Sequence, residues 1–276
     1  MQRFSQLHAY VTLIGMGGWL LVAASPAARA QIGLGLSPMR VELTLSPGVP
    51  HTDSLELTNE TAAQAHVKGE LLDFFIDANE DPQFGVYAGE EHSCRQFLRV
   101  SATDIDLKPN QRQTIRYTAR PPADLKPGSY HCALGLTTQA IPSAAGSGLS
   151  MNVRMIASFY VTIGTPQYKV EVKEIALEER RPSPGAAQRA YCILTNPGKF
   201  AWRPNGSLDV VEADGTVREH VALRSIPVLP GHDQKFLVSL AASPRQGDVL
   251  RLRMEVGNGE IEEARVDVSQ QMLSRR

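Results

Sequence analysis

The stretch GLSMNVRMIASFYVTIG, from Gly148 to Gly164, puts an apolar residue on every odd position: Leu149, Met151, Val153, Met155, Ala157, Phe159, Val161 and Ile163. Ser150, Asn152, Arg154, Ser158 and Thr162 fall between them. Successive side chains of a strand point to opposite faces of a sheet, so a period of two means a strand buried on one face. Most strands in globular domains run about 5–6 residues, and this alternation lasts far longer. Either the whole apolar row lines the core of its own domain, or the row is divided. In the divided case Phe159 to Ile163 pack at home, and Leu149, Met151, Val153 and Met155 are offered to a partner.

The rest of the chain obeys the same period. LSPMRVELTLSPG, HTDSLELTNETA, AHVKGELLDFFIDANEDPQFG, CRQFLRVSATDIDLKPNQ, RQTIRYTARPP and PGSYHCALGLTTQ precede the long strand, separated by Gly, Pro, Asn and Asp. No segment holds a 3.6-residue period over three turns. After a break at Gly164–Tyr168 the pattern restarts with KVEVKEIALEE, AYCILTNPGK, GSLDVVEADG, VREHVALRSIPVLPG, KFLVSLAAS, VLRLRMEVGNG and EARVDVSQ. Two sets of about seven short strands point to an all-β chain built from two β-sandwiches. The expected domains are 31–165 and 166–276.

Residues 1–30 stand apart. Arg3 lies ahead of the apolar run VTLIGMGGWLLVAAS, and Ala28 and Ala30 occupy small-residue positions. This is the pattern of a secretory signal peptide, cut between Ala30 and Gln31. No later stretch is long and apolar enough to span a bilayer, so stable membrane insertion after cleavage is not expected. Beyond Gln31 there are 26 basic and 29 acidic side chains, with no basic patch or tail. Nucleic acid and anionic membrane are therefore poor partners.

The sequence is thin in chemistry. It contains no G-x-S-x-G, H-E-x-x-H, G-x-x-x-x-G-K or C-x-x-C pattern, so the reading is not an enzyme and needs no cofactor. DANED, Asp77 to Asp81, starts like a calcium loop, but Pro82 stands where that loop needs Gly. A polar hairpin turn fits better. Three Cys occur. Cys94 and Cys132 open two strands at the same end of a sandwich, with one hairpin partner between them. In an oxidising compartment a disulfide is possible there. Free thiols are an alternative, and His92 and His131 beside these Cys keep a metal site open as a third. Cys192, among apolar neighbours, reads as a lone buried thiol.

Several segments, in order, resemble the PapD-like periplasmic pilus (fimbrial) chaperones. LSPMRVEL resembles their first strand, LELTNE their second, and DIDLKPNQRQTIRYTARPPADLKPGSYHCALGL their Pro turn and following strands. YCILTNPGKFAWRPN is similar to a strand and turn of their second domain. The resemblance implies two immunoglobulin-like sandwiches in a boomerang arrangement, working in the periplasm. It implies pilin-like subunits as partners, with an outer-membrane usher, and a long strand lent to the subunit. Leu149, Met151, Val153 and Met155 would then be the lent side chains, and Arg40 would grip the subunit's terminal carboxylate. The family's second basic anchor, a Lys before an aromatic pair, falls on Ala157 or Ser158 here, and Arg154 is the nearest base. Two other readings remain: an immunoglobulin-like module with a structural or adhesive role, and a secreted metal-holding protein.

Overall fold

Strands form where branched and aromatic residues alternate with polar ones, and end at Pro, Gly and Asn. The computed structural model describes residues 33–87, 90–139, 152–178, 188–257 and 259–274. The expected signal peptide with its Ala30–Gln31 junction, and Leu149 and Met151, lie outside the described residues. Ten strands precede Gly164: β1 Leu34–Ser37, β2 Arg40–Leu45, β3 His51–Asn59, β4 Ala65–Ile76, β5 Pro82–Gly85, β6 Leu98–Val100, β7 Asp104–Leu107, β8 Arg112–Ala119, β9 Gly128–Gln139 and β10 Arg154–Ile163. The sequence reading expects about seven. LSPMRVEL splits because Pro38 has no N–H to give a ladder, and the chain changes sheets there. β1 pairs antiparallel with β3, while β2 pairs parallel with β10. The turn after Ile76 likewise divides one expected strand into β4 and β5, which form a hairpin.

These strands make two sheets, ordered β1-β3-β8-β6 and β2-β10-β9-β4-β5, with β7 also on β4. Their inner faces enclose Leu55, Leu57, Ile115, Tyr117, Leu134, Leu136 and the odd residues of β10. Tyr117 meets Phe159 edge to face with ring centroids 5.0 Å apart, a geometry worth about 0.5–1.5 kcal/mol beyond area burial.

Seven strands follow: β11 Glu171–Leu177, β12 Gln188–Thr195, β13 Asn205–Val211, β14 Val217–Ala222, β15 Asp233–Leu240, β16 Val249–Glu255 and β17 Ile261–Asp267. They form sheets β11-β12-β15 and β14-β13-β16-β17 around a second core that includes Trp202, Leu208, Val210, Phe236 and Leu252. A short helix, α1 Gln270–Ser274, closes the described chain and leans Met272 and Leu273 on that core. Its single turn is too short to leave a 3.6-residue signature in the sequence.

A third apolar cluster joins the outer face of the first sandwich to the second set of strands. Leu72, Phe74 and Ala133 pack there with Leu229, flanked by Ile156, Tyr160 and Ala201. The β4–β5 hairpin adds a polar contact. Asp77 accepts the N–H groups of Asn79 and Asp81 at 2.8 and 3.0 Å, which fixes the turn. Those backbone bonds, Asp81 first, hold the Asp77 carboxyl below its ordinary range. The fixed turn projects Glu80 at a φ of 67°. Its carboxylate, 2% exposed, accepts the Leu237 N–H at 2.6 Å and pairs with Arg224.

Candidate functional site

The site is built from β10, its neighbours, and the cleft on their outer face. β10 runs antiparallel to β9 along its whole length, Arg154 opposite Thr137 and Ile163 opposite Gly128. On its other side β2 covers only Ser158 to Ile163. Among the described residues, no strand pairs with that side of Arg154–Ala157. Backbone groups alternate sides along a strand. The Thr138 N–H donates to the Val153 carbonyl at 2.9 Å, and the Ser158 N–H donates to the Met39 carbonyl at 2.9 Å. The N–H and C=O of Arg154 and Ile156 therefore point to the open side.

The side chains correct one expectation. Met155, expected to be exposed, is 8% exposed and belongs to the core of its own sandwich. It sits opposite Leu136 on the inward face, so β9 and the facing sheet cover it. Val153 is half-buried and leans on the same core. The even residues face outward, where Ile156 and Tyr160 meet the second set of strands.

Arg40 heads β2, directly opposite Ser158, with its side chain 60% exposed. It is not free of an internal carboxylate: its Nε lies 3.3 Å from Glu42 Oε1. The position expected to carry a second base holds buried Ala157 and then Ser158. Arg154 does not supply that charge. It lies four residues further along β10, about 13 Å at strand rise, and its Nη2 bonds Glu70 at 2.7 Å. Gly135 lies between them, and a Cβ there would come within 3.3 Å of the Arg154 guanidinium. The bare glycine is the notch across which Arg154 reaches Glu70.

Behind Arg40 lies a cleft of about 430 Å³, lined among others by Glu42, Thr44, Tyr160, Thr162, Trp202 and Arg203. Sequence reasoning singled out none of these six. Arg203 comes from the connection between β12 and β13, lies 4.8 Å over the Tyr160 ring, and approaches Glu42 Oε1 to 3.5 Å. Burial pushes the Tyr160 hydroxyl above its ordinary range, and the positive charges of Arg203 and Arg40 partly offset that. FAWRPN carries no signal for this role, because Arg203 gains it only when two distant segments meet.

The cysteines are settled. Cys94 and Cys132 form a disulfide with Cα atoms 5.3 Å apart, which removes both thiols from the metal reading. Cys192 is buried and free, and burial pushes its thiol up to about 12.

The sequence matches no protein-family model and no curated protein sequence. Solved structures are similar to the chain at low identity. One is the class 5 fimbriae chaperone CfaA, at 10% identity and a TM-score of 0.47, covering 86% of this chain and 100% of that one. Another is the YadV chaperone, at 11% identity and a TM-score of 0.44, covering 86% of this chain and 100% of that one. A third is the Salmonella enterica SafA pilin in complex with the SafB chaperone, at 14% identity and a TM-score of 0.42, covering 87% of this chain and 99% of that one.

Proposed function

We propose that this chain is a non-enzymatic periplasmic chaperone for pilus-like surface subunits, and that it works by lending the open edge of β10. The observation that carries the proposal is the unpaired side of Arg154–Ala157, set in line behind β2. A sheet edge accepts an extended segment through backbone hydrogen bonds, and alternate side chains give specificity. A segment laid on this edge and running parallel to β10 follows the line of β2 and ends at Arg40. Its terminal carboxylate then arrives at an exposed guanidinium, whose planar fork suits two oxygens. Val153, Met151 and Leu149 would fill the subunit's pockets, each worth about 1.5–3 kcal/mol if fully buried. Met155 would remain in its own core as the floor of the joint. The domain limits 31–165 and 166–276 and the usher as second partner belong to the same proposal.

The test is co-expression with a small β-rich, pilin-like subunit. A one-to-one complex is expected, in which the amides of Arg154 and Ile156 gain protection from hydrogen exchange. Arg40→Ala should leave the melting temperature nearly unchanged, since exposed pairs such as Arg40–Glu42 are worth about 0–1 kcal/mol. It should weaken the complex by about 2 kcal/mol or more. A complex in which those two amides still exchange freely would refute strand lending.

A further inference from the structure

Arg40 heads β2 and Arg203 lies in the connection between β12 and β13, yet both bring Nε near the same atom, Glu42 Oε1, at 3.3 and 3.5 Å. One carboxylate oxygen is thus shared by two guanidinium groups at the rim of the cleft. The contacts are loose, because charge-assisted N–H···O bonds close to about 2.7–2.9 Å. Arg203 is otherwise held in place. Its Nη1 donates to the Ser225 carbonyl at 3.0 Å and its plane lies over Tyr160. Its Nη2 is buried and the group also engages the Tyr160 hydroxyl, which leaves Nε as the donor nearest Glu42. Glu42 is 55% exposed and can swing into water.

We infer that Arg40 and Arg203 form a two-guanidinium carboxylate site, and that Glu42 is its resident stand-in in the free protein, displaced when an external carboxylate arrives. The identity of that carboxylate as a partner's chain terminus rests on the function proposed above. Glu255 also lines the cleft, but its carboxylate already accepts Asn205 Nδ2 at 2.8 Å, whereas Glu42 is the carboxylate that both guanidinium groups share. A carboxylate not tethered to β2 can set one oxygen on Arg40 and the other on Arg203 Nε, whereas Glu42 offers both guanidinium groups the same oxygen. Glu42 therefore sets a threshold: it shields the arginines from weak anions and yields to a carboxylate delivered by a docked strand. The missing base at Ala157 and Ser158 is replaced from across the cleft.

The probe is sodium acetate, titrated into the full chain against sodium chloride at equal ionic strength, with the Arg40 and Arg203 Nε–Hε signals followed by NMR. Acetate should shift both signals saturably, and chloride should not. Glu42→Gln should bind acetate about fivefold more tightly, the upper end of what an exposed ion pair is worth. Glu42→Ala, which also removes the side-chain oxygen, should do the same. Arg203→Gln should weaken the response at Arg40 by a similar factor. If both Glu42 variants titrate as the wild type does, the stand-in role is overturned. If chloride acts like acetate, the carboxylate site itself is overturned. Acetate needs no strand partner, so either failure, beside protected Arg154 and Ile156 amides in a subunit complex, would remove this inference and leave strand lending intact.

Discussion

Glu80→Ala isolates the polar contact that ties the β4–β5 hairpin to β15. The wild-type carboxylate is 2% exposed and accepts the Leu237 N–H at 2.6 Å. Arg224, its ionic partner, is 67% exposed and can turn to water when Glu80 is gone. The variant thus loses one buried charge-assisted bond and leaves one backbone donor unsatisfied, without stranding a buried cation. A hydrogen bond to a charged group contributes about 1.5–3 kcal/mol, and an orphaned buried donor costs about 1–3. These terms overlap, so the expected loss is about 2–4 kcal/mol, below the 3–5 seen when a fully buried ion pair is broken. For a chain of this size that is a fall in Tm of about 5–15 °C. Glu80→Gln keeps an oxygen for the Leu237 N–H and should lose about half as much. Scanning calorimetry on both variants reads the difference. A fall of less than 2 °C for Glu80→Ala would show that the hairpin contact is solvated and contributes little to holding the two sets of strands together.

Other outcomes follow from buried groups. His131 is held down at about 4 by burial first, and then by His232 and His92, with the Phe74 backbone and Asp73 partly opposing. Its unfolded value is about 6.5, so the unfolded chain binds more protons between those values, and stability falls as pH drops from about 6.5 to about 4, by about 3 kcal/mol at most. Urea titrations should show this slope, and His131→Phe should flatten it; an unchanged slope would assign it to other groups. Cys94→Ser with Cys132→Ser should cost about 3–4 kcal/mol through the lost loop constraint, whereas equal midpoints for the oxidised wild type and the double variant would contradict that. Intact-mass measurement should show two hydrogens missing, with one thiol labelled by iodoacetamide only after unfolding; labelling of Cys192 in the native state would contradict its burial.

What the sequence disclosed depended on how local the cause was. Period-two alternation is written residue by residue, so the all-β class and the second set of strands were legible. The Cys94–Cys132 pair was legible as a possibility because the sequence puts Cys94 ahead of one strand and Cys132 near the start of another, though the structure sets Cys94 in the turn before β6 and Cys132 inside β9. The split at Pro38 was less so: the missing N–H is visible, but the change of sheet depends on which neighbours are free. Met155 was misjudged because alternation shows which face a side chain takes, not how far the opposite sheet extends over it. Glu80 and Arg203 were invisible for a stronger reason. Glu80 meets Arg224 across 144 residues of sequence, and nothing in either local pattern encodes the meeting.

The parallel pairing of β2 with β10 has a consequence for the order of assembly. Every other pairing among the described strands is antiparallel. Arg40 lies opposite Ser158, whereas β4 and β5 join through a single turn. Closing a long loop costs more entropy than closing a short one, and distant pairings form late. A chain made from its N-terminus carries β2 without its partner until β10 exists. Arg40 and Glu42 then take their places in the same event that gives β10 one covered side and one open side. The open edge of β10 and Arg40, the two parts of the proposed site, are expected to mature together, so a half-folded chain would present neither.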